Sequence, residues 1–407
     1  MNGAPHFDIA IIGAGILGLA TGYQLLEALP DLRIVILERE ESAGAHQSSH
    51  NSGVVHAGVY YSPGSLKARL CREGAQLLYD FADRHNIPYG RTGKLIVQVS
   101  DAEAARFDSL CARAAANGVP GIEVLDKERI AGIEPYVSAV RGLWSPNTGV
   151  IDYKVVCDKL VSEIEVRGGQ ILLGTEVTKI VEHGRDVVIQ SNQSEVAARN
   201  VISCAGLWAD RVSALSGETK DLMIVPFRGS YYTLAPQSRD LVRGLVYPVP
   251  DPALPFLGVH FTRRLDGEVL VGPNAVLALA RDGYGRGDIS ARDLACVLGY
   301  RGFWRMASRY VRAGLVEMWR DVSKRAYLAQ VQRYIPSLTG EDLRPGPSGV
   351  RAQAVTRSGV LMDDFSFIGS SHIIHVQNAP SPAATSSLAI GRLLAERSLD
   401  QFGILAR

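Results

Sequence analysis

Short apolar runs separated by one longer apolar stretch occupy the start of the chain. Residues 7–12 are mostly apolar, which is typical of a parallel strand buried on both faces. The glycine-rich sequence GAGILG follows at 13–18, and the apolar stretch after it predicts a helix to about Leu29. A second apolar run at 33–38 ends on an acidic residue. Together these patterns predict a complete βαβ unit within the first 38 residues.

The same pattern of strands and helices returns later in the chain. It predicts a helix over 155–167, strands over 168–173, 187–190, 200–204 and 373–376, a proline- and serine-containing loop over 378–385, and a final helix over 386–399. Residues 222–275 differ, because alternating strand patterns and prolines there are typical of an antiparallel sheet.

These elements predict an α/β fold in which a Rossmann-like nucleotide-binding domain is interleaved with an α+β substrate domain built on a mostly antiparallel sheet. We predict that the nucleotide-binding domain is discontinuous and comprises residues 1–90, 150–215 and 345–407. The substrate domain would then comprise residues 91–149 and 216–344.

Composition excludes several classes of protein. The 43 basic and 42 acidic residues leave a net charge of +1, so no general attraction to nucleic acid is expected. The five cysteines form no CxxC pair, which indicates reduced thiols, and residues 1–7 lack the basic region of a secretory signal. We therefore expect a cytoplasmic protein. No His/Cys cluster has zinc spacing, so no metal site is predicted, and no GxSxG motif supports a serine hydrolase.

A basic stretch at 301–325 holds seven basic and two acidic residues, with apolar residues at helical spacing. Two interpretations stay open. The helix either packs on its own domain at the surface, or it contacts a membrane peripherally, at the inner face, as basic amphipathic helices do.

The glycine sequence after the first strand fits a dinucleotide-binding turn. Gly13 permits the tight turn, Gly15 lets a pyrophosphate approach the backbone, and Gly18 lets the helix pack close to the strand. The helix N-terminus offers unpaired N–H groups to the phosphates, and Glu38, twenty residues after Gly18, can accept hydrogen bonds from a ribose diol.

The glycine fingerprint alone fits NAD as well as FAD. An NAD-binding domain usually continues with regular βαβ repeats, whereas this chain breaks into HNSGVVHAGVYYSPGSLKARLC at 50–71. A polar loop after the second strand favours FAD, because it can bring backbone to the flavin ring.

A resemblance covers nearly the whole chain. The sequence HQSSHNSGVVHAGVYYSPGSLKARLC at 46–71 resembles the FAD-dependent L-2-hydroxyglutarate dehydrogenases, also called oxidases, of the D-amino-acid oxidase-like superfamily. Further stretches agree with that family: VPFRGSY at 225–231, YPVPDP at 247–252, PFLGVHF at 255–261, VGPNAVL at 271–277, GVRAQ at 349–353 and NAPSPAAT at 378–385. The resemblance implies oxidation of L-2-hydroxyglutarate to 2-oxoglutarate, with hydride transfer to the flavin and electrons passed to an acceptor, commonly the respiratory quinone pool.

A dicarboxylate substrate calls for cations, and the planar fork of arginine matches a carboxylate. Arg351 resembles the position where the superfamily places its substrate-binding arginine, and Arg228 is a weaker candidate for the distal carboxylate. Tyr60 and Tyr61 stand where related glycerol-3-phosphate dehydrogenases carry an arginine and a tyrosine. The loss of that arginine argues against a phosphate ester, and both tyrosines are expected to line the substrate pocket.

A base must take the hydroxyl proton, and histidine suits this role near neutral pH. His260, on a predicted strand, is the preferred base, and His56, in the loop near the flavin, is the alternative.

The remaining predicted contacts are to the flavin. The backbone of Ser49, His50, Asn51, Ser52 and Gly53 is expected along the flavin ring. The final helix would direct its N-terminus, at Ala383, Ala384 and Thr385, toward the pyrimidine end, where negative charge accumulates on reduction. Val177, Ala205 and Gly206 complete the predicted cofactor-binding set.

Three other functions stay open on sequence alone. An amine oxidase of the same fold would act on glycine- or sarcosine-like substrates. A flavin-bearing binding or sensor protein would show no turnover, and an NAD-linked dehydrogenase would hold no flavin.

Overall fold

The computed structural model describes residues 6–218, 221–252 and 256–404. Residues 1–5, part of the stretch inspected for a signal sequence, and Pro255, which opens one of the motif stretches, lie outside the described residues.

The strands are β1 (His6–Ile12), β2 (Ile34–Leu37), β3 (Val54–Val55), β4 (Tyr89–Gly90), β5 (Lys94–Gln98), β6 (Glu123–Leu125), β7 (Arg141–Ser145), β8 (Gly149–Ile151), β9 (Gln170–Leu172), β10 (Val177–His183), β11 (Asp186–Ser191), β12 (Glu195–Ser203), β13 (Leu222–Leu234), β14 (Leu245–Pro248), β15 (His260–Arg263), β16 (Val269–Gly272), β17 (Val276–Leu277), β18 (Leu343–Thr356), β19 (Ser366–Gly369) and β20 (Ile373–Asn378). The α-helices are α1 (Ile16–Ala28), α2 (Leu66–Arg84), α3 (Ala104–Ala116), α4 (Lys127–Ile133), α5 (Tyr153–Val166), α6 (Ala209–Leu215), α7 (Ala291–Leu298), α8 (Arg301–Val322), α9 (Lys324–Val331) and α10 (Ser387–Gln401).

The first sheet carries the predicted βαβ unit. Its strands run in the order β10-β11-β12-β1-β2-β9, with β20 paired to β12 and β19 paired to β20. The pairs β12–β1, β1–β2, β2–β9 and β12–β20 are parallel, as expected for a Rossmann-like sheet. Because helices α1, α5 and α10 pack near this sheet, its central strands are buried and almost wholly apolar.

A second sheet of nine strands runs in the order β17-β13-β16-β15-β14-β5-β7-β6, with β18 paired to β13. Every pair is antiparallel except β14–β5, which is parallel. The sheet is therefore mixed but mostly antiparallel, and the expected α/β class is confirmed. The predicted domain boundary at residue 345 falls inside β18, so the division into two domains stays a prediction.

The register of the second sheet sets which side chains share a face. Lys94 of β5 pairs with Leu245 of β14, which pairs with Thr262 of β15. In β14, Tyr247 lies two residues after Leu245. In β15, His260 lies two residues before Thr262. Because side chains alternate between the faces of a sheet, all of these lie on one face. That face packs against the segment after the glycine turn, since Tyr247 and Leu245 belong to the same apolar cluster as Val54 and Val59.

A small third sheet, in the order β3-β8-β4, is antiparallel and lies beside that packed face. Its strand β3 belongs to the polar segment at residues 50–71.

The glycine turn fixes how α1 leaves β1. Gly13 has a φ of +102°, which side-chain-bearing residues rarely adopt, and its N–H donates to the carbonyl of Leu37 at 2.8 Å. A Cβ at Gly18 would overlap the carbonyl oxygen of Gly13. The turn therefore requires glycine at both positions.

We predict that Gly18→Ala destabilises the protein strongly, because the added methyl group would force α1 away from β1. Gly314→Ala is the matched control, since Gly314 also lies in a helix, α8, but a Cβ there meets nothing within 4 Å. The control should be neutral or more stable by about 0.5–1 kcal/mol, as expected for Gly→Ala inside an exposed helix. Thermal unfolding of both variants checks this; equal stability of Gly18→Ala and the parent would contradict it.

Candidate active site

A cavity of about 760 Å³ lies at the carboxyl ends of the parallel strands and reaches the second sheet. Four chain segments that follow such strands contribute to its wall, at Gly13, Glu38, Ala205 and Ala379. This is where open α/β sheets bind their ligands.

Most of the predicted site residues line this cavity. On its wall lie Gly13, Gly15, Glu38, His50, Asn51, Ser52, His56, Val177, Ala205, Gly206, His260, Arg351, Ala383, Ala384 and Thr385. Gly18, Ser49, Gly53, Tyr60, Tyr61 and Arg228 do not belong to the lining. Gly18 and Gly53 instead shape the backbone that forms it, as their close contacts show.

The nucleotide end of the cavity is held by its own backbone bonds. The two carboxylate oxygens of Glu38 accept from the N–H of Ala14 at 2.7 Å and from that of Glu40 at 3.0 Å. The hydroxyl of Ser48 accepts from the N–H of Ile16 at 2.9 Å and so closes the first turn of α1. A Cβ at Gly15 would meet only this hydroxyl, at 3.4 Å. The bare backbone at Gly15 and the fixed acid at Glu38 fit a dinucleotide.

The polar segment after this turn is fixed by side-chain bonds to backbone. Asn51 accepts from the N–H of Gly53 at 2.8 Å and donates to the carbonyl of Ser48 at 2.8 Å. Gly53 has a φ of +73°, and a Cβ there would lie 2.8 Å from the carbonyl oxygen of Ile151. Glycine is thus required at the point where the segment turns into β3.

Thr385 joins the segment before α10 to the polar segment. Its hydroxyl accepts from the N–H of His56 at 3.1 Å and donates to the carbonyl of Val54 at 3.2 Å. The phenol oxygen of Tyr153 lies 3.0 Å from the hydroxyl oxygen of Thr385. These bonds hold residues 383–385 and His56 at one place on the cavity wall.

Arg351 brings a positive charge to the opposite end of the cavity. It lies on β18, and its guanidinium carbon is 4.9 Å from the ring centre of Phe256. Among the described residues, no carboxylate lies within ion-pair distance of it. Burial lowers the pKa of this guanidinium from its usual value. A cation in such surroundings favours an anionic ligand.

His260 faces the cavity as a neutral imidazole. Burial lowers its pKa to about 3, and the charges of Arg351 and Lys94 act in the same direction. Its Nδ1 lies 2.9 Å from the carbonyl oxygen of Gly258, which identifies Nδ1 as the protonated nitrogen. Nε2 is then free to accept a proton. The ring stacks on Tyr247 with centroids 3.9 Å apart.

His56 is also neutral, because burial lowers its pKa well below the usual value. Its Nδ1 is buried and has no hydrogen-bond partner among the described residues. The sequence could not separate the two histidines, and the cavity contains both.

Arg228 does not face the cavity. Its guanidinium forms a buried ion pair with Asp321 at 2.9 Å and donates to the hydroxyl of Ser230 at 2.6 Å. A cation already neutralised in this way is not available to a substrate carboxylate, so the expectation for Arg228 is corrected to a structural ion pair.

Tyr60 and Tyr61 lie behind the wall rather than on it. The Nζ of Lys94 is 4.5 Å from the ring centre of Tyr60, and the Nζ of Lys67 is 5.3 Å from that of Tyr61. Two tyrosines on the wall, Tyr231 and Tyr247, were not singled out from sequence although both stand in the quoted motifs. The signal was present, but a motif does not say which of its residues points inward.

Residues 8–397 match the family model described as FAD dependent oxidoreductase (DAO). The chain belongs to this family. Relatives over nearly the whole length include the mitochondrial L-2-hydroxyglutarate dehydrogenase of Caenorhabditis briggsae, 47% identical, with 98% of this chain and 94% of that protein covered. The L-2-hydroxyglutarate dehydrogenases of Escherichia coli K12 (46% identical, 95% and 91% covered) and Homo sapiens (mitochondrial; 43%, 97% and 89%) are similar as well.

Solved structures show the same fold. The L-alpha-glycerophosphate oxidase of Mycoplasma pneumoniae, solved with FAD bound, superposes with a TM-score of 0.78 at 22% identity, covering 98% of this chain and 96% of that one. Glycine oxidase from Geobacillus kaustophilus gives a TM-score of 0.71 at 19% identity, with 99% of each chain covered.

These findings confirm the resemblance and the cofactor predicted from sequence. The protein is an FAD-dependent oxidoreductase, and the glycine turn, the fixed Glu38 and the bare backbone at Gly15 suit FAD. In the part of the chain that the structure describes, no group of three or more His, Cys, Asp or Glu residues could hold a metal ion.

Proposed function

We propose that this protein oxidises L-2-hydroxyglutarate to 2-oxoglutarate. The observation that carries the proposal is the pairing, in one cavity, of an arginine without an acidic partner and a neutral histidine with a free nitrogen. The names of the relatives at 43–47% identity support this substrate. The two-electron oxidant for the C2 hydride would be bound FAD, at its N5.

The carboxylate beside the reacting carbon would bind Arg351. A half-buried guanidinium with no carboxylate at ion-pair distance among the described residues gains from two-point contact with a carboxylate, because the charge-assisted bonds replace lost hydration. The contact would also orient the C2 hydroxyl and its hydrogen.

Nε2 of His260 would take the hydroxyl proton. The bond between Nδ1 and the carbonyl of Gly258 fixes the tautomer, and stacking on Tyr247 fixes the ring plane. As the proton leaves, the positive charge that forms on His260 would be balanced by the substrate carboxylates that have entered the site. His56 is the alternative base.

An anaerobic flavin titration tests the reaction. L-2-hydroxyglutarate should bleach the oxidised flavin band, whereas D-2-hydroxyglutarate, L-lactate and glycerol-3-phosphate should not. Bleaching by glycine or sarcosine instead would indicate an amine oxidase, and a yellow protein that no substrate reduces would indicate a binding protein.

Removal of the base should slow turnover without loss of the cofactor. His260→Ala is expected to lower kcat by about 10²–10⁴-fold, the usual contribution of a positioned general base. His56→Ala, on the same wall, is the matched comparison and should have a smaller effect. Rapid-reaction measurement of flavin reduction checks this, with the flavin spectrum as control. If His56→Ala proves the slower variant, the role of base passes to His56.

We further propose that electrons leave to the respiratory quinone pool and that α8 brings the protein to the membrane surface. Six large apolar side chains of α8 form a largely exposed stripe: Trp304, Val311, Leu315, Met318, Trp319 and Val322 are 51–70% exposed. Only a few residues near its ends, such as Phe303 and Met306, are buried. Exposed arginines interleave with the stripe. No described helix is long and apolar enough to cross a membrane.

An apolar stripe flanked by cations suits the interface of an anionic bilayer, where apolar groups enter and arginines meet phosphate. The helix breaks at Tyr310, whose φ of −111° and ψ of +17° are not helical. The stripe from 311 to 322 lies beyond this break. Quinones dissolve in the same bilayer, so membrane contact would bring the flavin protein to its acceptor.

Replacing the stripe should weaken binding to vesicles. The triple variant Leu315→Ser, Trp319→Ser, Val322→Ser is expected to bind phosphatidylglycerol vesicles at least about 10-fold more weakly, because buried apolar area drives interfacial binding. Val166→Ser, at an exposed valine on α5, is the control. Co-sedimentation measures the difference. Unchanged binding, or self-association of the parent protein in light scattering, would contradict a membrane role for α8.

A further inference from the structure

Lys94 is a buried cation without a partner. It begins β5, its residue is fully buried, and its Nζ has no hydrogen bond among the described residues. The Nζ lies 4.5 Å from the ring centre of Tyr60 and 5.1 Å from that of Tyr247. Burial lowers its pKa to about 7. Because such a lysine costs stability that an apolar side chain would not, its presence calls for a ligand.

The other buried cations are already neutralised. Among the described residues, buried Lys67 pairs with Asp363, buried Arg228 with Asp321 and buried Arg281 with Asp210. Lys94 has no such acid. It therefore resembles Arg351, which also lacks an acidic partner.

Lys94 does not itself line the cavity but lies directly behind its wall. The positive charge of Lys94 lowers the pKa of both His56 and His260, which are on the cavity wall. Arg351 acts on His260 as well, so the two cations lie within electrostatic reach of the same imidazole. Tyr247, on the wall, contacts Lys94 with its ring.

Two further buried polar atoms beside Lys94 lack partners. They are Nδ1 of His56 and the phenol oxygen of Tyr60, for which the described part of the chain offers no hydrogen-bond partner. Buried polar groups are nearly always hydrogen-bonded in folded proteins, so unpartnered atoms on Lys94, on Tyr60 in contact with it, and on His56, whose pKa its charge lowers, favour a polar ligand. A carboxylate would accept from the ammonium group and from the phenol.

We propose that Lys94 binds the second, distal carboxylate of the substrate and thereby selects dicarboxylates over monocarboxylates of the same length. The inference rests on the proposed function and replaces Arg228, which Asp321 already neutralises. A carboxylate beside Lys94 would favour its charged form, and the pair would be fully desolvated.

The discriminating substrates are L-2-hydroxyglutarate and L-2-hydroxyvalerate, which share five carbons and the C2 hydroxyl but differ in the distal carboxylate. In Lys94→Met the ratio of their kcat/KM values should fall by roughly 10²–10³-fold, because a buried carboxylate would be left without its cation. The loss should fall on the dicarboxylate and mainly on KM, while the value for the monocarboxylate holds or rises.

Lys67→Met is the matched control, because Lys67 is also a buried lysine and lies on the cavity wall itself, but is paired with Asp363. Lys67→Met should leave the ratio of the kcat/KM values for the two substrates within a few-fold of the parent value. Lys94→Met should not lower the thermal midpoint, since methionine is an unbranched side chain only one atom shorter than lysine and carries no buried charge. If Lys94 has only a structural role, Lys94→Met should lower the thermal midpoint and leave the ratio of the two kcat/KM values unchanged. That result would overturn the proposal.

Binding of glutarate, a dicarboxylate that cannot be oxidised, separates this inference from the proposed function. Calorimetry should show glutarate binding to the parent holoenzyme and at least about 10-fold weaker binding to Lys94→Gln, which also serves if Lys94→Met fails to fold. Equal binding would reject the role of Lys94 whatever the reaction is. If L-2-hydroxyglutarate fails to reduce the parent flavin while glutarate binding depends on Lys94, only the proposed reaction fails.

Discussion

The structure depends on one close approach between backbones, that of Gly18 in α1 to the carbonyl of Gly13 at the end of β1. The approach brings the N-terminus of α1 directly over the strand, where Glu38 and Ser48 take up the N–H groups of Ala14 and Ile16. The cavity opens at this edge because the neighbouring parallel strands end there as well. A helix displaced by one methyl group would leave the phosphate-binding backbone out of place.

The cavity also shows how charge is distributed in a largely apolar interior. Most buried arginines and lysines are neutralised by aspartates, so they stabilise the fold without being available to a ligand. Among the described residues, buried Lys94 and half-buried Arg351 have no such aspartate, and both lie within electrostatic reach of His260. Uncompensated buried cations lower the stability of a protein, so their persistence is best explained by an anionic ligand that restores the balance.

Burial also explains the state of the histidines. Removal from water disfavours the imidazolium form, and the nearby cations add to the effect, so His56 and His260 are neutral before substrate arrives. A dicarboxylate that enters the site brings negative charge and offsets the cations. The dicarboxylate that needs a base would therefore raise the pKa of His260. Substrate binding and proton transfer are then coupled through the local electrostatics.

The sequence by itself determined the βαβ unit, the glycine turn with Glu38, the family and therefore the cofactor, because these depend on local periodicity, on positions that only glycine can occupy and on long ordered motifs. It could not show that Arg228 is paired with Asp321, since the two residues lie 93 positions apart, nor that the apolar stripe of α8 is exposed. Lys94 carried no local signal at all. Only the pairing of β5 with β14, and of β14 with β15, brought it to the face of His260, because the register of distant strands decides which side chains share one environment.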